Sequence, residues 1–248
     1  MKEADAHAIT DRFVIRPPRQ ERSRRAWARV LDAGVALFEE GGYEAFTIAA
    51  VCERARVAPR AIYDRTPSKE VLFVAVYEYR TSQIWEELRV FDDEEHWTGL
   101  DAPELIAALF GELAAVLRRH EAFLRALMTV SPAGNTRVYQ QARRHTAQLA
   151  EKIVGLLLSA GPHIAHPDPE TAVRVCFNAV YSALVTRIGC GKDLILSVPD
   201  HDVFVGQLVE MAARYLLGSA ADTARSAGPD PGDGTGPAER PVRPEAAN

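Results

Sequence analysis

A chain of 248 residues with 47% hydrophobic and 25% charged side chains lies within the range of ordinary soluble globular proteins, with room for a small domain beside a larger one. Its three cysteines, Cys52, Cys176 and Cys190, are too few and too scattered for a disulfide framework or a four-ligand metal site, so buried free thiols are expected. The formal net charge is -5, and no apolar stretch approaches the ~20 residues that span a bilayer, so a cytoplasmic protein without a membrane partner is expected.

Residues 1–20 lack a sustained apolar period and contain Pro17-Pro18, which reads as a flexible basic arm. Arg16, Arg19, Arg22, Arg24, Arg25 and Arg29 have only Glu21 as a local counter-charge, so positive charge is concentrated at one end of an acidic chain. That pattern fits a small nucleic-acid-binding unit attached to a larger domain with another task, and binding through it should weaken steeply with salt. From Glu21 to Glu40 the stripe Trp27, Val30, Leu31, Val35, Leu37 and Phe38 predicts a first helix, ended by Gly41-Gly42.

The most informative stretch is residues 46–69, F-T-I-A-A-V-C-E-R-A-R-V-A-P-R-A-I-Y-D-R-T-P-S-K. Thr47 precedes the apolar pattern Ile48, Val51, Cys52, Ala55 and reads as the N-cap of a short helix. Cys52 lies on that buried stripe, which favours a core role over redox sensing. Ala58-Pro59 opens a second short helix, with proline in the first turn where its missing N–H costs nothing. Two short helices joined by a tight turn form a helix-turn-helix, whose second helix enters the major groove of double-stranded DNA with its first residues at base edges. Pro59, Arg60 and Ala61 take those positions. Arg60 is the expected guanine reader, since two parallel hydrogen bonds to O6 and N7 are worth ~1–3 kcal/mol of discrimination. Tyr63 and Lys69 are expected at phosphates, where they set register rather than sequence.

Ser68 caps a longer helix through Val71, Leu72, Ala75, Val76, Tyr79 and Leu88, expected to link the DNA unit (residues 21–67) mechanically to a larger domain (residues 68–218, with 68–89 as the link). Beyond Gly99 helical periodicity returns at Leu105, Ile106, Leu109, Phe110, Leu113 and Leu117, at Phe123, Leu124, Leu127 and Met128, and at Leu149, Ile153, Leu156 and Leu157. After a loop over Pro162 to Pro169, Val173, Phe177, Val180, Tyr181, Leu184 and Ile188 mark one strong helix, and Phe204, Leu208, Met211, Ala212 and Tyr215 another. No alternating strand is legible, so the fold class is all-α. From Ser219 the chain turns to Ala, Gly, Pro and scattered charge, and residues 219–248 read as a disordered tail.

These features resemble the TetR family of bacterial transcriptional regulators over roughly Arg22 to Phe73. The resemblance rests on Gly42-Tyr43 before the threonine cap, Ile62-Tyr63 ending the recognition helix, and Ser68-Lys69-Glu70 opening the fourth helix. Three positions depart from the pattern. Arg56 stands where the turn usually has glycine, so either the turn is reshaped or Arg56 adopts a left-handed conformation costing ~1–2 kcal/mol. Ala58 replaces the common Ser or Thr cap, and Thr66 replaces a large aromatic residue that packs beneath the domain. Arg22, Arg24, Arg25, Thr47, Arg56, Pro59, Arg60, Ala61, Tyr63 and Lys69 are the expected DNA-facing set.

The resemblance implies an effector pocket in the larger domain and a homodimer formed by the last two main helices, which lets two reading units engage a two-fold symmetric operator ~34–36 Å apart. Candidate pocket residues are Trp85, Leu109, Phe110, Leu113, Phe123, Leu127, Met128, Tyr139 and Phe177, which would suit a largely apolar small molecule. Candidate dimer residues are Val180, Leu184, Ile188, Phe204, Leu208, Met211 and Tyr215. The implied function is a ligand-responsive repressor. The alternative is a helical enzyme or carrier whose basic N-terminus binds nucleic acid nonspecifically, against which stand the lack of a phosphate loop, a nucleophilic triad or paired catalytic carboxylates. No cofactor is expected. His163 and His166 form a His-x-x-His pair in a proline-bounded loop, better explained by solvation than by zinc, and the basic clusters Arg118-Arg119-His120 and Arg143-Arg144-His145 read as solvated helix faces.

Overall fold

The computed structural model describes residues 21–130, 136–159, 164–191 and 200–218. The expected arm (1–20) and tail (219–248), and His163 of the loop, lie outside the described residues. Among those described there are helices and turns but no strand: α1 (Glu21–Ala45), α2 (Ile48–Ala55), α3 (Pro59–Tyr63), α4 (Lys69–Leu88), α5 (Ala102–Arg119), α6 (Glu121–Met128), α7 (Thr136–Ser159), α8 (Pro169–Cys190) and α9 (His201–Leu217). None of the helices among the described residues is long and apolar enough to cross a membrane.

Side-chain caps fix several helix starts. Ser68 Oγ accepts from the Val71 N–H at 3.3 Å at the head of α4. Asp101 accepts from the Glu104 N–H at 2.8 Å while the Glu104 carboxylate accepts from the Asp101 N–H at 3.0 Å, a reciprocal capping box for α5. Asp168 and Asp200 cap α8 and α9 one way only, their carboxylates accepting from the Thr171 N–H and from the Asp202 and Val203 N–H groups. The expected stop at Gly41-Gly42 is a bend instead: Gly42 has φ 66° and the chain resumes helical form to Ala45. A left-handed φ breaks the helical path without releasing the last turn, and glycine adopts it at no steric cost. Between α4 and α5 lie two 3₁₀ turns, Arg89–Asp92 and Glu94–Trp97, which periodicity did not reveal. They are held by the Trp97 indole N–H donating to the Val90 carbonyl at 3.0 Å and by the Trp97 ring stacked on Phe91.

One aromatic cluster joins α1, α4 and α6. Phe38 of α1 meets Phe73 of α4 at 4.9 Å and Phe123 of α6 at 5.5 Å, and Tyr43 and Phe46 close on Phe73 from the end of α1. Phe38, Phe46, Phe73 and Phe123 are fully buried. Gly34 lets α1 approach α4, since a Cβ there would stand 2.5 Å from Val76 Cγ2. Tyr79 donates to Asp32 at 2.7 Å and Arg80 pairs with Glu39 at 3.3 Å, fixing α4 to α1 along its length. Farther out, α9 packs along α5 and α8, and α7 along α8. Cys52 and Cys176 are buried, and burial pushes the Cys176 thiol up to about 11; Cys190, expected to be buried, is exposed at the last residue of α8.

Candidate nucleic-acid interface and ligand region

The reading unit is assembled by contacts that hold α2 and α3 on α1. Thr47 Oγ1 accepts from the Ala50 N–H at 3.1 Å, and Val51, Cys52 and Ala55 turn inward. Arg29 of α1 donates through Nε to the Ala55 carbonyl at 3.3 Å, anchoring the end of α2. The turn keeps its tight form: Arg56 takes φ 54°, ψ 53°, the one non-glycine residue with positive φ among those described. Its N–H reaches the Glu53 carbonyl and the Val57 N–H the Cys52 carbonyl, so hydrogen bonds at the helix end offset the steric cost of an L-residue there. The Arg56 side chain is exposed.

α3 begins at Pro59 after an extended Ala58, which supplies no side-chain cap. Ile62 alone of its five residues is buried; Pro59, Arg60, Ala61 and Tyr63 face solvent. The Arg60 side chain is 90% exposed, and its 4.0 Å approach to Asp64 is a surface ion pair worth little, so the guanidinium is available to a base edge. Below α3, Thr66 is fully buried and its hydroxyl donates to the Ile62 carbonyl at 3.2 Å. Arg65 donates to Ser23 Oγ at 2.5 Å and lies 5.7 Å from the Trp27 ring, so the smaller Thr66 is accommodated with the segment pinned to α1.

Lys69, expected as a phosphate ligand, is half-buried. Its ammonium donates to the Tyr43 carbonyl at 2.7 Å and sits 4.0 Å from the Tyr43 ring centroid, tying α4 to the end of α1. Two ammonium hydrogens remain beyond that bond. Arg22, Arg24 and Arg25 lie exposed on the first turns of α1, and Arg22, Arg25 and Arg29 line a concavity of about 370 Å³ there.

In the larger domain the expected pocket residues separate. Leu109, Phe110, Leu113 and Phe123 are fully buried in the core. Tyr139 and Phe177 line a groove of about 480 Å³ between α7 and α8, bordered by Arg143, Glu151 and Arg174. The other seven predicted residues line neither this groove nor the two cavities beside α9 described next; Trp85 packs on His145 and under Lys152, Leu127 is half-buried and Met128 is exposed. Burial first, and then neighbouring Arg144, hold the His145 imidazole below its ordinary value. A second cavity, of about 470 Å³, opens where α5, α6, α8 and α9 meet, and a wider groove of about 730 Å³ follows α5 and α9.

The expected dimer residues also divide. Val180, Leu184 and Ile188 are buried within the single chain and have almost no surface left for a partner. Phe204 and Leu208 are half-buried, and Met211 and Tyr215 exposed. The large apolar side chains left open on these two helices are Val175, Val203, Met211 and Tyr215. A helical apolar stripe marks a packed face without saying whether its partner is the same chain or another copy. His166 bonds to the backbone of Asp168, and no group of side chains with metal-binding geometry occurs among the described residues.

Comparison with known proteins places the chain in a family. A family model for bacterial regulatory proteins of the tetR family matches residues 30–76, and a model for the tetracyclin repressor-like C-terminal domain matches residues 101–216. The A-factor receptor protein of Streptomyces griseus is 32% identical over 66 residues, 27% of this chain; the match spans about a quarter of that relative (24%). Among solved structures, a TetR-like transcriptional regulator from Rhodococcus sp. RHA1 superposes with a TM-score of 0.57 at 22% identity, covering 82% of this chain and 100% of that one. NalD, the secondary repressor of the MexAB-OprM multidrug efflux pump in Pseudomonas aeruginosa, gives a TM-score of 0.57 at 16% identity, covering 81% and 100%. FadR of Bacillus subtilis, solved with stearoyl-CoA, gives 0.56 at 14%, covering 77% and 99%; at these identities the likeness is one of fold. With its reading unit and its helical bundle each matched by a model of the same family, the chain belongs to the TetR family of bacterial regulatory proteins.

Proposed function

We propose that the protein is a cytoplasmic, ligand-responsive transcriptional repressor that binds a two-fold symmetric operator as a homodimer and leaves it when a small-molecule effector occupies the larger domain. The observation that carries this is the solvent-facing edge of α3, with Arg60 presented from a short helix that packs on α2 and is followed by Arg65, bonded to Ser23 of α1. Residues 21–67 read DNA, α4 transmits, and α5 to α9 bind ligand and dimerise. Arg22, Arg24 and Arg25 meet phosphates, as do Tyr63, the free hydrogens of Lys69 and the exposed Arg56. The dimer forms across the open face of α8 and α9 that carries Val175, Val203, Met211 and Tyr215.

The switch follows from how the ends are joined. α1 is gripped by α4 through Tyr79 and Arg80 and by α6 through Phe123. A shift of α6 or α4 therefore moves the reading unit as a body. Between two reading helices the required register is one turn of DNA, so a small rotation at each is enough to lose the operator. The effector must bind the released state more tightly than the DNA-bound one, since equal affinity moves nothing.

Titration of the purified protein into a labelled fragment of the DNA flanking its own gene, with scrambled competitor, followed by anisotropy at two salt concentrations, tests the proposal. Competitor-resistant binding by a dimer is the expected result. Binding that is blind to sequence in every flanking fragment would move weight to a helical carrier with a basic arm.

A further inference from the structure

We propose that the cavity where α5, α6, α8 and α9 meet is the effector site and that it takes an amphipathic carboxylate, a singly charged acid with an apolar body; this rests on the ligand-responsive reading given above. Arg118 of α5, Arg125 of α6 and Arg187 of α8 line one void of about 470 Å³, and Glu121 is the one carboxylate among its lining residues. His201, in the first turn of α9, completes the polar side. Leu117, Leu184 and Ile188 supply an aliphatic side. The size falls within the range of small-molecule sites, and planar guanidiniums are the side chains best matched to a carboxylate.

The arginines are positioned by their neighbours. Arg118 pairs with Asp202 at 2.9 Å, Arg125 pairs with Glu121 and donates to the Ile188 carbonyl at 2.9 Å, and Arg187 stacks 4.6 Å from the Phe204 ring centroid. Burial first, then Arg118 and Arg187, hold the His201 imidazole below its ordinary value, against a smaller opposite pull from Asp202 and Glu121. A second negative charge on the ligand would oppose Glu121 and leave the aliphatic side unused, which favours an acid with a hydrocarbon body over inorganic phosphate.

The cavity is coupled to the reading unit. Arg125 joins α6 to the last turn of α8, and Met128 lies so close to Gly189 that a Cβ there would stand 2.8 Å from its sulfur. Phe123, on the same short helix, packs on Phe38 of α1. A carboxylate that draws Arg125 toward Arg118 and Arg187 displaces α6 against α1, giving the ligand different affinities for the two states.

The test is calorimetric titration of the full chain with butanoate, octanoate, benzoate, octanamide and inorganic phosphate, repeated for Arg118→Gln at the exposed rim and for Arg143→Gln in the α7–α8 groove. Octanoate or benzoate should bind, and octanamide should bind octanoate's site about tenfold to a hundredfold more weakly for want of the charge-assisted bonds. Arg118→Gln should weaken the acids by a similar factor, with Arg143→Gln near wild type, and the bound acid should lower operator affinity. No heat and no thermal stabilisation with any of the three acids would overturn the proposal, as would equal binding of octanamide, equal binding of phosphate, or a loss confined to Arg143→Gln. Acid binding that leaves operator affinity unchanged would refute the effector role while leaving the DNA-binding reading standing; loss of sequence-specific DNA binding in the unliganded protein would sink that reading instead.

Discussion

The reading helix α3 and the corner cavity are built on opposite plans. α3 presents Arg60 and Tyr63 within a five-residue helix whose one buried side chain, Ile62, fixes which way the others point. The cavity takes its walls from Ala114 to His201, on four helices, and no short segment contains it. A recognition surface is a set of exposed side chains at fixed offsets, and it survives as long as its local frame is held. A void exists only where distant helices fail to touch, so it depends on every packing decision in the domain.

The sharpest way to break this contrast is at the joint between the two regions. Phe123→Ala removes a fully buried ring that bridges α6 and α1, and a loss of about 3–5 kcal/mol in urea unfolding is expected. A loss below about 1 kcal/mol would mean the two regions are not packed as one core. Next in size, Arg60→Ala should reduce discrimination between operator and scrambled DNA by roughly tenfold or more, with the unfolding midpoint unchanged. Undiminished discrimination would remove Arg60 as base reader and place specificity elsewhere on the unit.

Lys69→Met sharpens the boundary between reading and holding. Because the ammonium bonds the Tyr43 carbonyl, the variant should lose about 1–2 kcal/mol of stability. It should also weaken operator and scrambled DNA about equally, with a shallower salt dependence. Stability loss with an unchanged salt slope would make Lys69 purely a strut. Smallest is Arg56→Gly, which relieves the left-handed strain and should raise stability by about 1 kcal/mol. A fall in the salt slope of DNA binding in the same variant would show that the exposed guanidinium also meets a phosphate; a drop in stability would mean the side chain supports the turn in a way its exposure conceals.

Legibility follows the same line. Thr47 as cap, the inward Val51, Cys52 and Ala55, Pro59 in the first turn and the start at Ser68 were readable because each depends on neighbours within a few residues. The five helices beyond Gly99 were readable as elements from their apolar period. Their partners were not: Leu109, Phe110 and Leu113 form solid core, while Val180, Leu184 and Ile188 face their own bundle. Arg118, Arg125, Arg187 and His201 carried no joint signal, since 83 residues separate the first from the last and only the meeting of α5, α6, α8 and α9 brings them to one void.

The sequence by itself determined that the chain is helical, that its N-terminal region carries a pair of short helices joined by a tight turn, and which side chains of that pair lie on the outer face. Those properties are set by backbone preferences, caps and spacing that act over one or two turns. Tertiary structure alone decided that Arg56 takes the left-handed turn, that Lys69 is shared with Tyr43, which apolar stripes pack inside the chain, and where space remains between them. The physical reason is range. A hydrophobic stripe states that a face will be buried but not against what, and that choice is made only when helices distant in sequence compete for the same surface.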